Sequence, residues 1–174
     1  MLLLVSISEN NERIKEDKIM SLFEKQINQY KEKFNQLYAT LGKKDVIALY
    51  NKCGITDVAA ELKDNTVAFK SATLKIAMTL MPGIPSCTVY AAIVASACEK
   101  LGISFVVMSG TCIKTSFPSY EKDKAHILAQ KAAGVEHPLM ATHVYLEVGE
   151  TIYEYYAGDF SEIDHIDCVE IARY

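Results

Sequence analysis

The stretch Met81–Gly110, MPGIPSCTVYAAIVASACEKLGISFVVMSG, constrains the fold of this chain more than any other. Pro82, Gly83 and Pro85 keep the backbone extended and non-helical, because proline locks φ and restricts the residue before it. Ser86 then offers a side-chain oxygen to the free N–H groups of a helix start. Val89, Ile93, Val94, Ala97 and Leu101 recur at helical spacing, and Gly102 stands where a C-terminal cap belongs. Ile103–Met108 is a short apolar, partly β-branched run, as expected of a buried strand. The stretch thus reads as loop, helix and strand in succession. Cys87 falls in the first turn of that helix. There the unpaired N–H groups and the positive end of the helix dipole favour thiolate, the nucleophilic form of the side chain.

The rest of the chain is read outward from this unit. Its 174 residues are enough for one domain with a real core, and half of them are hydrophobic. A formal net charge of −4 and the lack of any nucleic-acid motif argue against nucleic-acid binding. Met1-Leu2-Leu3-Leu4-Val5 is too short, and has no basic flank, for a signal peptide. Pro82, Gly83 and Pro85 break the longest low-charge stretch, Ile76–Cys98, so no membrane span is expected. Five cysteines without a CxxC pair suit free thiols in a reducing compartment, and a cytoplasmic location is expected.

Before the central stretch the chain reads as helical. A long helix is expected from about Glu12 to Leu41, after a polar break at Ser8–Asn11. Met20, Phe23, Ile27, Tyr30, Phe34, Leu37 and Leu41 make one apolar stripe along it. The stripe suits packing on the domain's own core or a homodimer seam over residues 20–41. Shorter helices follow at Asp45–Lys52, at Val58–Lys63 with Thr56 or Asp57 as cap, and at Asn65–Leu80. After it, Gly110–Tyr120 reads as a loop and Glu121–Ala133 as a helix. Thr142–Val148 and Thr151–Tyr156 read as a hairpin about the Gly149-Glu150 turn, and Cys168–Arg173 as a last strand. The expected fold is α+β in a single domain, 1–174. A helical part, 1–80, precedes a part, 81–174, in which a helix packs on an antiparallel sheet.

A nucleophilic thiol needs a base, and the base needs an orienting partner. Of the four histidines, His126 lies in a lysine-rich helix, His137 precedes Pro138 in a loop, and His165 lies in the acidic run Asp164–Asp167. His143 opens the hairpin. A two-residue turn pairs Val148 with Thr151 and Leu146 with Tyr153. It puts His143, Tyr145 and Glu147 on one face, opposite Tyr156, Glu154 and Ile152. Glu154 is then diagonal to His143, and Asp159 is the other candidate acid. Cys53, Cys98, Cys112 and Cys168 lack the helix-start setting and read as core thiols. A metal site on His137, His143 and nearby acids fits no standard spacing, and no cofactor is expected.

Three pieces in this order, Ser86-Cys87-Thr88, Leu101-Gly102-Ile103 and His143-Val144-Tyr145, followed by an acid, resemble the core of the transglutaminase-like branch of the papain-like thiol enzymes. The resemblance covers residues 84–160 at most. It implies a papain-like core and a triad of Cys87, His143 and either Glu154 or Asp159. It implies a thiol-dependent amidohydrolase or acyltransferase acting on a peptide, amide or acyl substrate through a thioester. The Cys87 backbone N–H would be the first oxyanion donor. No glutamine precedes the cysteine, which leaves the second donor to Ser109, Thr111 or a backbone N–H. The alternative is a member of the same fold without the chemistry, acting in binding or assembly through its N-terminal helix.

Overall fold

A computed structural model describes residues 2–83 and 86–174, with side chains from Leu22 onward. Met1, Ile84 and Pro85 lie outside the described residues, as does the side chain of Met20 in the apolar stripe. Helix α1 (Leu2–Leu41) leads into α2 (Val46–Lys52), α3 (Val58–Lys63), α4 (Val67–Leu80) and α5 (Cys87–Lys100). Strand β1 (Val106–Lys114), helix α6 (Tyr120–Ala132) and strands β2 (His143–Val148), β3 (Thr151–Tyr153) and β4 (Ile163–Arg173) complete the fold. It is a mixed α and β architecture whose four strands are all antiparallel, in the order β3-β2-β1-β4.

The short helices start where their caps lie. Asp45 accepts from the Ala48 N–H at 2.9 Å, Asp57 from Ala60 at 3.0 Å, and Thr66 from Phe69 at 3.1 Å. Each such cap is worth about 0.5–2 kcal/mol. Asp57, not Thr56, caps α3, and α4 begins at Val67 because Asn65 holds a left-handed φ of 44° and Thr66 is the cap. Helix α1 extends N-terminally past the expected start at Glu12. The polar run Ser8–Asn11 contains no proline or glycine, so polarity alone does not end the helix.

Helix α5 is the centre of the molecule. Every residue from Thr88 to Cys98 is buried, and α1, α2, α4 and β2 pack around it. Its alanines at 91, 92, 95 and 97 let neighbours approach from all sides. A helix enclosed all round needs no polar face. One contiguous core runs from Phe34 on α1 through α5 to Val107, Val144, Leu146 and Ile171 of the sheet. The α1 stripe packs on it from Ile27 to Leu41. Phe34 is fully buried, Phe23 and Leu41 are buried, and Ile27, Tyr30 and Leu37 pack against the core. Phe23 and Phe34 are therefore covered by their own chain, which is the core-packing use of the stripe.

The sheet is larger than expected. Strand β1 does not stop at Met108 but runs through Gly110 to Lys114, and β4 begins at Ile163 rather than Cys168. Gly110 makes this possible. A Cβ placed there would lie 2.1 Å from the Asp167 carbonyl oxygen and 2.5 Å from the Cys168 Cα. Only glycine lets the two backbones come so close. Strand β4 also carries two extra residues, Ile171 and Ile166, where the pairing register shifts along β1. Such bulges bend a strand and re-aim its side chains.

Candidate functional site

Ser86 caps α5 as expected, its Oγ accepting from the Val89 N–H at 3.3 Å. This fixes Cys87 as the first residue of the helix, where backbone N–H groups have no partner within the helix. The thiol is half-buried, and its Sγ lies 3.9 Å from the Thr88 hydroxyl. Burial pushes the Cys87 thiol up, but the adjacent His143 ring more than offsets this, and the net direction is down. His143 moves the opposite way. Burial alone would favour its neutral form, yet Cys87 and Glu154 together raise its pKa. The two opposite shifts both lie in the direction of a thiolate–imidazolium pair.

The hairpin holds the register that places the histidine. Val148 pairs with Thr151, Leu146 with Tyr153, and Glu147 with Ile152. The chain leaves the ladder after Tyr153, earlier than the expected Tyr156, and closes a tight turn bridged by Tyr156 and Asp159. Glu154 therefore sits just past the strand end. His143 is fully buried, and its Nε2 lies 3.0 Å from the Glu154 Oε2. Its Nδ1 is buried and, among the described residues, completes no hydrogen bond. Cys87 is the neighbour that most raises the ring's pKa. Hydrogen bonds of this kind are often long in an unliganded site and tighten when substrate binds. Tyr156 tilts against the His143 ring at 4.6 Å between centroids, and Tyr145 stacks at 5.8 Å.

Glu154 also holds a second histidine. His165 Nε2 approaches the same Oε2 at 2.7 Å. An ionised carboxylate only accepts, so both rings donate from Nε2, and the free position of His143 is Nδ1. Burial raises the Glu154 pKa, but the two histidines outweigh it and lower the pKa overall. The sequence places His165 in an acidic run ahead of the expected strand at Cys168, whereas it lies within β4. The signal was present in the β-branched and aliphatic residues interspersed along Ile163–Arg173, but the bulge at Ile166 hides its alternation.

Asp159, the other candidate acid, is elsewhere. Its carboxylate pairs with the buried Lys114 ammonium at 2.7 Å and accepts from Ser161, which together lower its pKa. Ser109 and Thr111 are also committed, their hydroxyls donating to the His143 and Met140 carbonyls at 2.9 and 3.2 Å. His137 sits apart from His143. Its Nδ1 meets Asp167 at 2.9 Å, and its ring stacks on Phe23 at 3.9 Å. His137 and His143, the two histidines a metal site would have to combine, thus belong to different networks. Among the described residues no group of three or more His, Cys, Asp or Glu is arranged to hold a metal ion.

No family model, curated protein or solved structure matches this chain. Among the described residues no helix is long and apolar enough to cross a membrane.

Proposed function

We propose that the protein is a thiol-dependent amidohydrolase or acyltransferase in which Cys87 is the nucleophile, His143 the acid–base and Glu154 the orienting acid. The observation that carries this is the convergence of three elements on one ring. The N-terminus of α5 brings a half-buried thiol of lowered pKa to His143, β2 supplies that buried ring, and the end of the hairpin fixes its Nε2 on Glu154. The order and placement of these residues are the grounds for the transglutaminase-like resemblance.

The steps follow from the ring's two nitrogens. The Cys87 thiolate attacks an amide or acyl carbonyl carbon, and the carbonyl π electrons move to oxygen. The Cys87 backbone N–H donates to that oxyanion. His143 gives its Nδ1 proton to the departing amine as the C–N bond breaks, leaving a thioester on Cys87. Water or an amine then attacks the thioester carbon, and His143 Nδ1 takes its proton. The C–S bond breaks and the thiolate returns. Glu154 stabilises the charged ring throughout without taking its proton. Five free thiols suit a reducing compartment such as the cytoplasm.

One observation favours a second reading, a binding member of the same fold without catalysis. Ser109 and Thr111 spend their hydroxyls on backbone carbonyls, so neither is a second oxyanion donor in this state. The two readings separate in one experiment. The protein is incubated with iodoacetamide across pH, and separately with an activated aryl ester, and adducts are located by mass spectrometry. The enzyme reading expects Cys87 to alkylate faster than an exposed reference thiol near neutral pH and to carry an acyl adduct that turns over. Alkylation no faster than the reference, with no acyl adduct, sinks it. A Cys87→Ser protein with full biological activity favours the binding reading.

A further inference from the structure

A second thiol cluster lies beyond His165, outside the proposed machinery. Cys112 on β1 and Cys168 on β4 are both free, and their sulfurs are 3.5 Å apart. The register explains the contact. Gly110 pairs with Cys168 and Cys112 with His165. Residues directly opposite share a face, as do residues two apart on a strand, so Cys112, His165 and Cys168 point the same way. In an unbulged strand, His165 and Cys168 would point to opposite faces. The extra Ile166 brings them together, and the bare Cα of Gly110 lets β4 approach. Cys112 is buried, whereas Cys168 is partly exposed. A bonded pair of sulfurs would be about 1.5 Å closer than this contact.

We propose that Cys112 and Cys168 are a redox-active dithiol whose substrate is a small-molecule disulfide such as oxidised glutathione. The more accessible of the two, the partly exposed Cys168, attacks. Its thiolate bonds to one sulfur of the small disulfide, whose S–S bond breaks and releases one small thiolate. The Cys112 thiol then loses its proton and attacks the Cys168 sulfur of the mixed disulfide. The Cys112–Cys168 bond forms and the second small thiolate leaves. The dithiol is oxidised by two electrons and the small disulfide is reduced to two thiols. The electrostatics agree with these roles. The Cys112 contact, the Tyr145 hydroxyl and His165 lower the Cys168 thiol, while the Cys168 contact and burial raise that of Cys112. A partly exposed thiol in contact with a buried one is the arrangement of an attacking and a resolving cysteine. Tyr145 stacks on His143 and tilts against His165, which connects the dithiol to the Glu154 network.

The proposal is independent of the role of Cys87, and the test removes that thiol. Cys87→Ala protein is incubated with oxidised glutathione and read by intact mass and peptide mapping. The expected result is a loss of two hydrogens and a cross-linked pair of peptides containing Cys112 and Cys168, both reversed by dithiothreitol. In the Cys87→Ala, Cys112→Ser protein the reaction stops at one glutathione adduct on Cys168. The proposal is overturned if the Cys87→Ala protein keeps both thiols open to alkylation, or if it accumulates a stable adduct with Cys112 still free.

Discussion

Glu154 presents one carboxylate oxygen to the His143 Nε2 at 3.0 Å, from a position just beyond the end of β3. The contact needs the hairpin register, because a one-residue slip would turn His143 to the other face. It leaves Nδ1 as the ring position without a partner among the described residues, and the proposed mechanism moves its proton through that nitrogen.

Glu154 and Asp159 can be told apart by the pH profile of Cys87. In Glu154→Gln one of the two groups that raise His143 loses its charge, so the thiolate–imidazolium pair weakens. The pH at half-maximal alkylation of Cys87 is expected to move up, and acyl transfer to fall. In Asp159→Asn the profile stays as in the parent, because Asp159 serves Lys114. Replacing His143 by Ala is expected to lower any acyl transfer by about 10²–10⁴-fold, the usual worth of a positioned acid–base.

The His165–Glu154 contact gives a stability signature in pH. His165 is raised above its ordinary 6.5, burial lowering it and Glu154 more than offsetting that. Its contribution is therefore complete below pH 6.5 and lost as pH rises through the folded value. Glu154 is lowered below its ordinary 4.5, so its contribution is present above that pH and lost as pH falls through the folded value. The two conditions overlap between pH 4.5 and 6.5. Urea midpoints of His165→Gln and parent protein should differ most in that window and converge on either side.

Gly110→Ala tests the close approach of β1 and β4. The new Cβ would meet backbone atoms of Asp167 and Cys168, which cannot swing aside as a side chain can. A loss of at least about 1–3 kcal/mol is expected from such overpacking, read as a lower urea midpoint. The same change should also lower the yield of the Cys112–Cys168 disulfide, since the strands must part.

Phe34→Ala tests whether the α1 stripe is core or seam. Phe34 is fully buried within its own chain and stacks at 5.7 Å on Tyr38. Truncation is expected to cost about 3–5 kcal/mol. Sedimentation of the folded fraction should be unchanged, whereas a homodimer seam would show a change in mass with little loss of monomer stability.

Much of this was legible along the chain. Ser86 before Cys87, the helical spacing from Val89 to Leu101 and the Gly149-Glu150 turn are local signals, each set by residues a few positions apart. They located α5, the hairpin and the pairing of Val148 with Thr151 and Leu146 with Tyr153. The reading stopped β1 too early because Gly110 looks like a loop residue. Its use is to admit another backbone, and that backbone lies nearly sixty positions away. His165 and Cys168 were missed for the same reason, since the bulge at Ile166 breaks the period that would have paired them.

Sequence alone determined the helix-start cysteine, the α+β order of elements and the face of the hairpin that carries His143, because caps, turns and periodicity act within a few residues. Only the tertiary structure decided that Glu154 rather than Asp159 meets His143, that His165 shares its oxygen, and that Cys112 touches Cys168. Those contacts depend on how far β4 runs along β1 and where it bulges, and strand register is a property of two segments together that neither carries by itself.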